Sequence, residues 1–264
     1  MEKIDIVKAR RSVRTFDGKG LDPELASSII ECARNATNPY GLEIDYRLLK
    51  ASEKGLSSPV IVGTDLYMAG KMKKVPHAEE AFGYSFEQVV LRAQELGVGT
   101  TWIAGTMNRD MFEKAMEVSS DEVMPCVSPL GIPSKRKSVR EVMMRTAIKA
   151  DSRLDASQIF FDGAFGKPLA FDAESTLGQT LELVRLAPSA VNKQPWRLVV
   201  CKDRVHFYEK HSLNSGSGDW DIQKIDMGIA LYHFTLGMPD ARFEIADPGM
   251  ECPEGYDYIA SFAI

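Results

Sequence analysis

The chain has 264 residues, of which 44% are hydrophobic, 26% charged and 9% aromatic, and this composition is typical of a globular protein and not of a disordered or fibrous one. The net charge of -5 argues against a general affinity for nucleic acid or anionic membranes, because those partners bind through accumulated Lys and Arg. The first residues form no apolar h-region and no apolar run is long enough to span a bilayer, so we expect a cytoplasmic protein.

An arginine-rich segment lies close to the start of the chain. The stretch "IVKARRSVRTF" places Arg10, Arg11, Ser12 and Arg14 within five residues. Guanidinium groups bind phosphate in a bidentate manner, and a hydroxyl and backbone N–H groups complete such a site. A solvated basic helix end is the alternative interpretation, and the run by itself does not decide between them.

Several stretches of the first half have a similar counterpart in the second half. Each aligned pair predicts one kind of structure: an amphipathic helix followed by a loop and a strand, a buried helix, and a short apolar strand. The pairs are 29–49 with 180–200, 86–98 with 226–238, and 127–132 with 259–264. The sequence therefore predicts an internal duplication.

The duplication divides the chain into two units, 1–149 and 150–264, which resemble a dimer fused into one chain. A charged segment that begins with "VREVMMR" joins them, and we expect it to start as a helix with an apolar and a basic face. Each unit has several long helices around a few strands. This pattern favours an α+β fold over a strictly alternating α/β fold.

Two further stretches of the first unit carry glycine or basic residues. "ELGVGTTWIAG" at 95–105 predicts a helix end followed by a loop; it is not a Rossmann fingerprint, because it lacks the third glycine and follows a helix. "LGIPSKRKS" at 130–138 ends a strand with Lys135, Arg136 and Lys137. These basic residues form either a solvated run or a second contact to an anionic ligand, and the sequence does not say which of them would make it.

The stretch "APSAVNKQPW" at 187–196 predicts a turn with polar side chains. Two prolines restrict the backbone, while Ser189, Asn192 and Gln194 both donate and accept hydrogen bonds, which suits a flat heterocycle with C=O and N–H groups on its edge. The alternative is a helix end and a strand whose Trp196 fills the core. That alternative explains Pro188 and Trp196 well and the two amides less well.

The cysteines and histidines are scattered along the chain. The four cysteines and four histidines show no C-x-x-C pair and no metal-ligand spacing, so we expect reduced, structural thiols and no metal site. His233 lies on an apolar helical stretch and is expected to pack in the core.

Taken together, these stretches resemble the FMN-dependent nitroreductase superfamily. Its members typically carry R-R-S-x-R, then P-S-x-x-N-x-Q-P-W, then E-L-G-x-G-x-x-W, then a glycine-x-proline segment with basic residues. The resemblance implies an α+β fold and an intimate homodimer with FMN at its interface. One subunit supplies the arginine segment, the glycine loop and the basic tail, and the other supplies the P-S-x-x-N turn.

The chain departs from that layout in a complementary way. The first unit keeps RRSVR, TTWIAG and GIPSKRK but has "TNPYGLEIDY" in place of the turn. The second unit keeps PSAVNKQPW but has "DSRLDASQIFF" in place of the arginine motif, and it has no basic tail. The chain thus resembles a tandem, fused pseudo-dimer subgroup, which implies one FMN site per chain and a monomer that acts as its own dimer.

The resemblance also assigns roles to residues. It places the FMN phosphate, ribityl chain and N1/O2 edge on the arginine segment and the basic tail, the ring against the turn, and flavin N5 opposite a backbone loop. The implied cofactor-binding residues are Arg10, Arg11, Ser12, Arg14, Ala104, Gly105, Lys135, Arg136, Pro188, Ser189, Ala190, Asn192 and Gln194. An arginine near N1/O2 favours the anionic reduced flavin, and no catalytic side chain or metal ligand is implied. Arg11 and Asn192 are expected to meet across one flavin.

The implied activity is a ping-pong transfer of hydride from NAD(P)H, through the flavin, to a nitroaromatic, quinone or similar small acceptor. A flavin-binding or flavin-handling protein with little reductase activity is the first alternative, because one fold supports many functions. A relative without cofactor that serves as an interaction module is the second.

Overall fold

The computed structural model describes residues 3–213 and 220–264. Residues 1–2 and 214–219 lie outside the described residues. Residues 1–2 belong to the first predicted unit and to the segment in which no h-region was expected, and residues 214–219 belong to the second predicted unit. The chain divides into two compact units, Met1–Ala150 and Asp151–Ile264.

The first unit is a four-stranded antiparallel sheet with helices packed around it. Its strands are β1 (Asp45–Lys50), β2 (Leu66–Lys73), β3 (Glu122–Val123) and β4 (Val127–Leu130). Its helices are α1 (Lys3–Ala9), α2 (Pro23–Asn35), α3 (Ala51–Lys54), α4 (Ala78–Glu95), α5 (Arg109–Met116) and α6 (Val139–Ala147). Strand β2 pairs with β1 along one edge and with β3 and β4 along the other.

Helix α4 is the central helix of the first unit, and nearly all of its faces are buried. Phe82 and Phe86 are both fully buried and stack or tilt against Tyr46 of β1. The Trp102 ring makes T-shaped contacts with both phenylalanine rings. Burial of these large aromatic side chains supplies much of the hydrophobic stabilisation of this unit.

The second unit is a five-stranded sheet covered by two helices. Its strands are β5 (Phe160–Asp162), β6 (Trp196–Val200), β7 (Arg204–Lys210), β8 (Arg242–Glu244) and β9 (Tyr256–Ala263), and its helices are α7 (Thr176–Leu186) and α8 (Ile222–Gly237). The strand order is β5-β6-β7-β9-β8, in which β5 and β6 are parallel and the other pairs antiparallel. The expected α+β class, with helices around a few strands in each unit, is confirmed, and the sheets are small and mainly antiparallel.

The same succession of elements occurs in both units. A helix, two paired strands, a second helix and a further strand are formed by α2, β1, β2, α4 and β4 in the first unit, and by α7, β6, β7, α8 and β9 in the second. In each unit the middle strand pairs antiparallel with the other two. The segments that align in sequence therefore form the same kinds of element.

Two features differ from the sequence expectations. Helix α6 is present, but its exposed residues include the apolar Val139, Val142 and Met143, while the charged Glu141 and Arg145 are buried. The reason is that Glu141 accepts hydrogen bonds from the arginine segment, as described below. Strands β2 and β7, which the sequence reading did not identify, are the central strands of their sheets.

The four cysteines and His233 were expected to be structural residues. All four cysteines are free, and His233 is fully buried with Nδ1 2.8 Å from the carbonyl oxygen of Leu183. Within 3–213 and 220–264, no cluster of three or more His, Cys, Asp or Glu side chains could hold a metal ion. No helix in the same described ranges is long and apolar enough to cross a membrane.

Candidate functional site

Three sequence motifs of the first unit lie side by side. The Val13 amide of the arginine segment donates to Thr100 O at 2.8 Å, so that segment runs along the glycine loop. The Gly99 amide of that loop in turn donates to Gly131 O at 2.8 Å. The glycine loop is therefore bonded to the arginine segment on one side and to the end of β4 on the other.

Gly99 and Gly131 lie where the segments approach closely. A Cβ atom on Gly99 would lie 3.0 Å from Pro133 Cγ and 3.0 Å from Val13 Cβ. On Gly131 it would lie 2.8 Å from Phe16 Cδ1. Packing between segments thus accounts for both glycines, without a nucleotide fingerprint.

Two arginines of the first segment have buried nitrogen atoms without a partner. Within the described residues, Nε and Nη1 of Arg10 and Nη1 of Arg14 are buried and make no hydrogen bond. Burial lowers the pKa of Arg10, with Glu87 opposing and Arg145 reinforcing that shift. The pKa of Arg14 is lowered in the same way, by burial first.

Helix α6 adds a third cation and a carboxylate to the arginine segment. Glu141 accepts from the Arg14 amide at 3.2 Å and from Thr15 Oγ1 at 2.8 Å. Arg145, one turn further along the helix, has Nη1 3.4 Å from Ser12 O. Sequence reasoning missed Arg145, although the i, i+4 spacing of Glu141 and Arg145 places both on one helix face.

This arrangement is suited to an anionic group. A buried guanidinium nitrogen without a partner costs free energy, commonly several kcal/mol for a whole unpaired charge, and a bound anion offsets that cost. The planar fork of arginine fits the oxygen atoms of a phosphate in particular. Arg10 and Arg14, which both lie close enough to Arg145 to feel its charge, are therefore candidate phosphate ligands in the first unit.

The other predicted cations are exposed. The Ser134 amide donates to Thr15 O at 3.0 Å, so the backbone that leads to Lys135 and Arg136 lies beside the arginine segment. The side chains of Lys135 and Arg136 are exposed, as is that of Arg11. Phosphate contacts from these three residues stay predictions.

The predicted N5 loop is held by an arginine that sequence reasoning did not identify. Arg109 donates from Nη2 to the carbonyl oxygens of Ala104 at 2.9 Å and Pro125 at 3.0 Å, and from Nη1 to Met124 O at 2.6 Å. A Cβ atom on Gly105 would have no neighbour within 4 Å. The loop thus combines a fixed carbonyl at Ala104 with open space at Gly105.

The turn of the second unit has an unusual backbone. Val191, Asn192 and Gln194 have φ angles of 42°, 60° and 51°. Residues other than glycine, Asn and Asp rarely adopt this left-handed region, and β-branched residues least of all, so the conformation of Val191 costs about 1 to 2 kcal/mol. Such strain persists where surrounding contacts hold the backbone, and it is found frequently at functional sites.

Backbone amides of the turn are bound by two side chains. The Ala190 amide donates to the buried carboxyl of Asp226 on α8, at 3.0 Å from Oδ1 and 3.1 Å from Oδ2. The Gln194 amide donates to Ser189 Oγ at 2.8 Å. Pro188, Ser189 and Ala190 are half-buried, and Val191 between the two amides is exposed.

Both predicted amide side chains of the turn bond within the second unit. Gln194 is buried; its Oε1 accepts from the Leu154 amide at 2.9 Å, and its Nε2 donates to Asn192 O at 3.1 Å. Asn192 is half-buried and donates from Nδ2 to Ser152 O at 3.1 Å. The segment that replaces the arginine motif therefore binds the turn, and contacts from these amides to a flavin ring stay predictions.

Comparison with known proteins identifies the class. The fold is that of a nitroreductase-like α+β protein, and a family model described as "Putative TM nitroreductase" matches residues 2–238. The chain belongs to this nitroreductase family. No curated protein matches it in sequence.

Among solved structures, a nitroreductase of Thermotoga maritima MSB8, described as putative, is similar over 100% of this chain and 94% of its own, with a TM-score of 0.63 and 18% identity. An FMN-dependent nitroreductase of Clostridium difficile R20291 has a TM-score of 0.44 and 19% identity, over 51% of this chain and 90% of its own. An iodotyrosine deiodinase bound to FMN and 3-iodo-L-tyrosine has a TM-score of 0.43 and 15% identity, over 52% and 92%. The first similarity shows the fold.

Proposed function

We propose that this protein is an FMN-dependent oxidoreductase that transfers hydride from NAD(P)H to a nitroaromatic, a quinone or a similar small acceptor. The observation that carries the proposal is the set of buried, unpartnered guanidinium nitrogens of Arg10 and Arg14, and membership of the nitroreductase family supports it. When bound, the flavin supplies the hydride chemistry, and the protein supplies binding, orientation and electrostatics.

The first unit would hold the polar end of the cofactor. Arg10 and Arg14 would bind the phosphate through their orphaned nitrogens, and Ser12 and Arg11 would contact the ribityl chain and the N1/O2 edge. The exposed Lys135 and Arg136 side chains would raise the local positive potential that attracts the phosphate. Ala104 and Gly105 would face the reactive edge, where the open space beside Gly105 leaves room for a second molecule.

The second unit would supply the wall of the ring site. Pro188, Ser189, Ala190, Asn192 and Gln194 form the turn that would line the ring, with the strained backbone directing its polar groups. In this arrangement one chain replaces the usual pair of subunits, holds one FMN and leaves the pseudo-symmetric second position empty. The protein would then be a monomer in solution, because the usual subunit interface would be satisfied within the chain.

FMN binding is the first test. The purified protein is titrated with FMN and followed by visible absorbance and by quenching of flavin fluorescence. We expect saturable binding that weakens on the order of 100-fold in Arg10→Ala, because removing one partner of a buried charge pair costs several kcal/mol. Arg34→Ala removes an exposed arginine from the same unit and should leave the affinity unchanged. A colourless protein that takes up no FMN, or an Arg10→Ala variant that binds FMN normally, overturns the proposal.

Reduction of the bound flavin separates the proposed reductase from its alternative. Rapid anaerobic mixing with NADH and with NADPH should bleach the flavin absorbance with at least one of them, and subsequent addition of a quinone or nitroaromatic should restore it. Tight FMN binding without bleaching by either nucleotide would instead identify a flavin-binding or flavin-handling protein.

A further inference from the structure

The turn of the second unit rests on a buried carboxyl group. Asp226 lies on α8 and accepts the Ala190 amide with both of its oxygens, at 3.0 and 3.1 Å. We infer that Asp226 is a positioning residue, which holds the 188–194 backbone in the conformation that lines the flavin ring. This inference rests on the proposed function, because it assigns a role at the same site.

The hydrogen bond between the Ala190 amide and Asp226 lies next to the strained residues of the turn. Ala190 immediately precedes Val191 and Asn192, the first two residues in the left-handed region. Because that region is unfavourable for the β-branched Val191 in particular, contacts outside the strained residue are needed to hold the shape of the turn. The Asp226 carboxyl is such a contact, at the residue where the strained stretch begins.

The surroundings of Asp226 show that the carboxyl is costly to keep there. Its side chain is 3% exposed, and its neighbours Ile225 and Met227 on the helix are also buried. Burial raises the pKa of Asp226 well above its ordinary value, while the Ala190 amide lowers it and the nearby Glu209 and Asp221 raise it further. A neutral carboxyl or an amide of the same shape still accepts a hydrogen bond from Ala190.

The first unit has no carboxyl group at the position that aligns with Asp226. The residue that aligns with Asp226 is Phe86 of α4, whose ring stacks on Tyr46. The loop of the first unit is closed by Asn38 instead, which donates to Leu42 O at 2.7 Å. The carboxyl under the turn therefore accompanies the strained backbone and is absent beneath the relaxed one.

Three variants separate positioning from folding. Asp226→Leu has the same number and branching of side-chain heavy atoms but no acceptor, so it removes the hydrogen bond from the Ala190 amide. Asp226→Asn keeps an acceptor. Glu209→Gln, the matched control, changes a neighbouring buried carboxyl that makes no hydrogen bond to the turn among the described residues.

The readout is affinity for FMN and for riboflavin, which lacks the phosphate and so reports on the ring site alone. We expect Asp226→Leu to lower the affinities for FMN and for riboflavin by the same factor, at least about tenfold. Asp226→Asn should bind both within about threefold of the wild type, and Glu209→Gln should bind as the wild type does. Arg10→Ala should lower the affinity for FMN and leave the affinity for riboflavin unchanged, because Arg10 would bind the phosphate that riboflavin lacks.

The outcomes distinguish the inference from the proposed function. A wild-type protein that binds neither flavin overturns both. Normal flavin binding by wild type and by a folded Asp226→Leu variant overturns the positioning role alone, as does an Asp226→Asn variant no better than Asp226→Leu. If Asp226→Leu does not fold, amide exchange at Ala190 in the flavin-free wild type and Asp226→Asn decides: protection in both supports the inference, and rapid exchange in the wild type overturns it.

Discussion

The two loops that follow the first aligned helix of each unit, 36–44 and 187–195, differ in how their backbones turn. In the first, Asn38 bonds to Leu42 through both ends of its side chain, and a glycine, Gly41, takes the left-handed conformation at φ 67°. In the second, three residues other than glycine take it. The first loop satisfies itself at little cost, whereas the second stores strain in the segment that would line a flavin.

The helix and strand beneath the two loops differ in the same sense. Glu209 of β7 pairs in register with Trp196, whereas Gly70 of β2 pairs with Tyr46, the residue aligned with Trp196. Within the described residues, both Glu209 oxygens are buried without a hydrogen bond. The second unit thus places two buried carboxyl groups, Asp226 and Glu209, where the first has an aromatic ring and a glycine. Burial of the two carboxyl groups costs the second unit free energy that the first unit does not lose at the aligned positions.

Substitution of Glu209 should have the largest effect on stability, through the pH dependence of unfolding. Burial, reinforced by Asp221, raises its pKa from 4.5 to about 7. The folded state therefore binds this proton more tightly than the unfolded state, and the free energy of unfolding falls as the pH rises from about 4.5 to 7. Glu209→Gln should remove up to about 3 kcal/mol of that pH dependence.

Urea denaturation at pH 5 and pH 8 measures the difference. Glu254→Gln, which changes an exposed carboxyl of the same unit, is the control and should keep the pH dependence of the wild type. Identical pH dependence in wild type and Glu209→Gln would contradict the buried state of this side chain.

A smaller loss of stability is expected when the first loop is opened. Asn38→Ala removes its bonds with Leu42 and with Ser85 Oγ, the last at 3.2 Å, and should lower the free energy of unfolding by about 2 kcal/mol. FMN affinity should not change, whereas Asn192→Ala should lower it. Denaturation and flavin titration of both variants check this, and a loss of FMN affinity in Asn38→Ala would mean that the first loop also contributes to binding.

The smallest effects test the strain itself. Gly41→Ala forces a side chain into the left-handed region and should destabilise the protein by about 1 kcal/mol. Val191→Gly relieves the same strain in the other loop, and should leave the melting temperature unchanged or raise it by a few degrees while weakening FMN binding. A clear fall in melting temperature for Val191→Gly would show that the second loop is not strained at this residue.

The parts of the site that were predicted from the sequence depend on local chemistry. The arginine segment, the glycine loop and the turn are recognisable because each combines a few residue types at short spacing. The roles of Arg145 and Asp226 were not predictable, because each depends on a contact with a segment that is distant in sequence. The left-handed backbone at Val191 was also hidden, since a β-branched residue normally argues against it.

The fold was predicted in class but not in every strand. The aligned stretches predicted the helices α2, α4, α7 and α8 and the strands β1, β4, β6 and β9 from apolar periodicity, whereas the helices α3 and α5 were not predicted. In β2 and β7 nearly every residue is buried on both faces, and Lys71, His206 and Glu209 are among the buried ones. Such strands show neither alternation nor a continuous apolar run, which are the two signals that identify a strand in sequence.

We propose that one chain builds one flavin site from the arginines of its first unit and the turn of its second. The most direct test is equilibrium sedimentation of the protein with FMN, recorded at a flavin wavelength and at a protein wavelength. We expect a monomer that carries one FMN per chain, and loss of the flavin signal from the protein in both Arg10→Ala and Asn192→Ala. Two FMN molecules per chain, FMN bound only to a dimer, or full binding by either variant would contradict it.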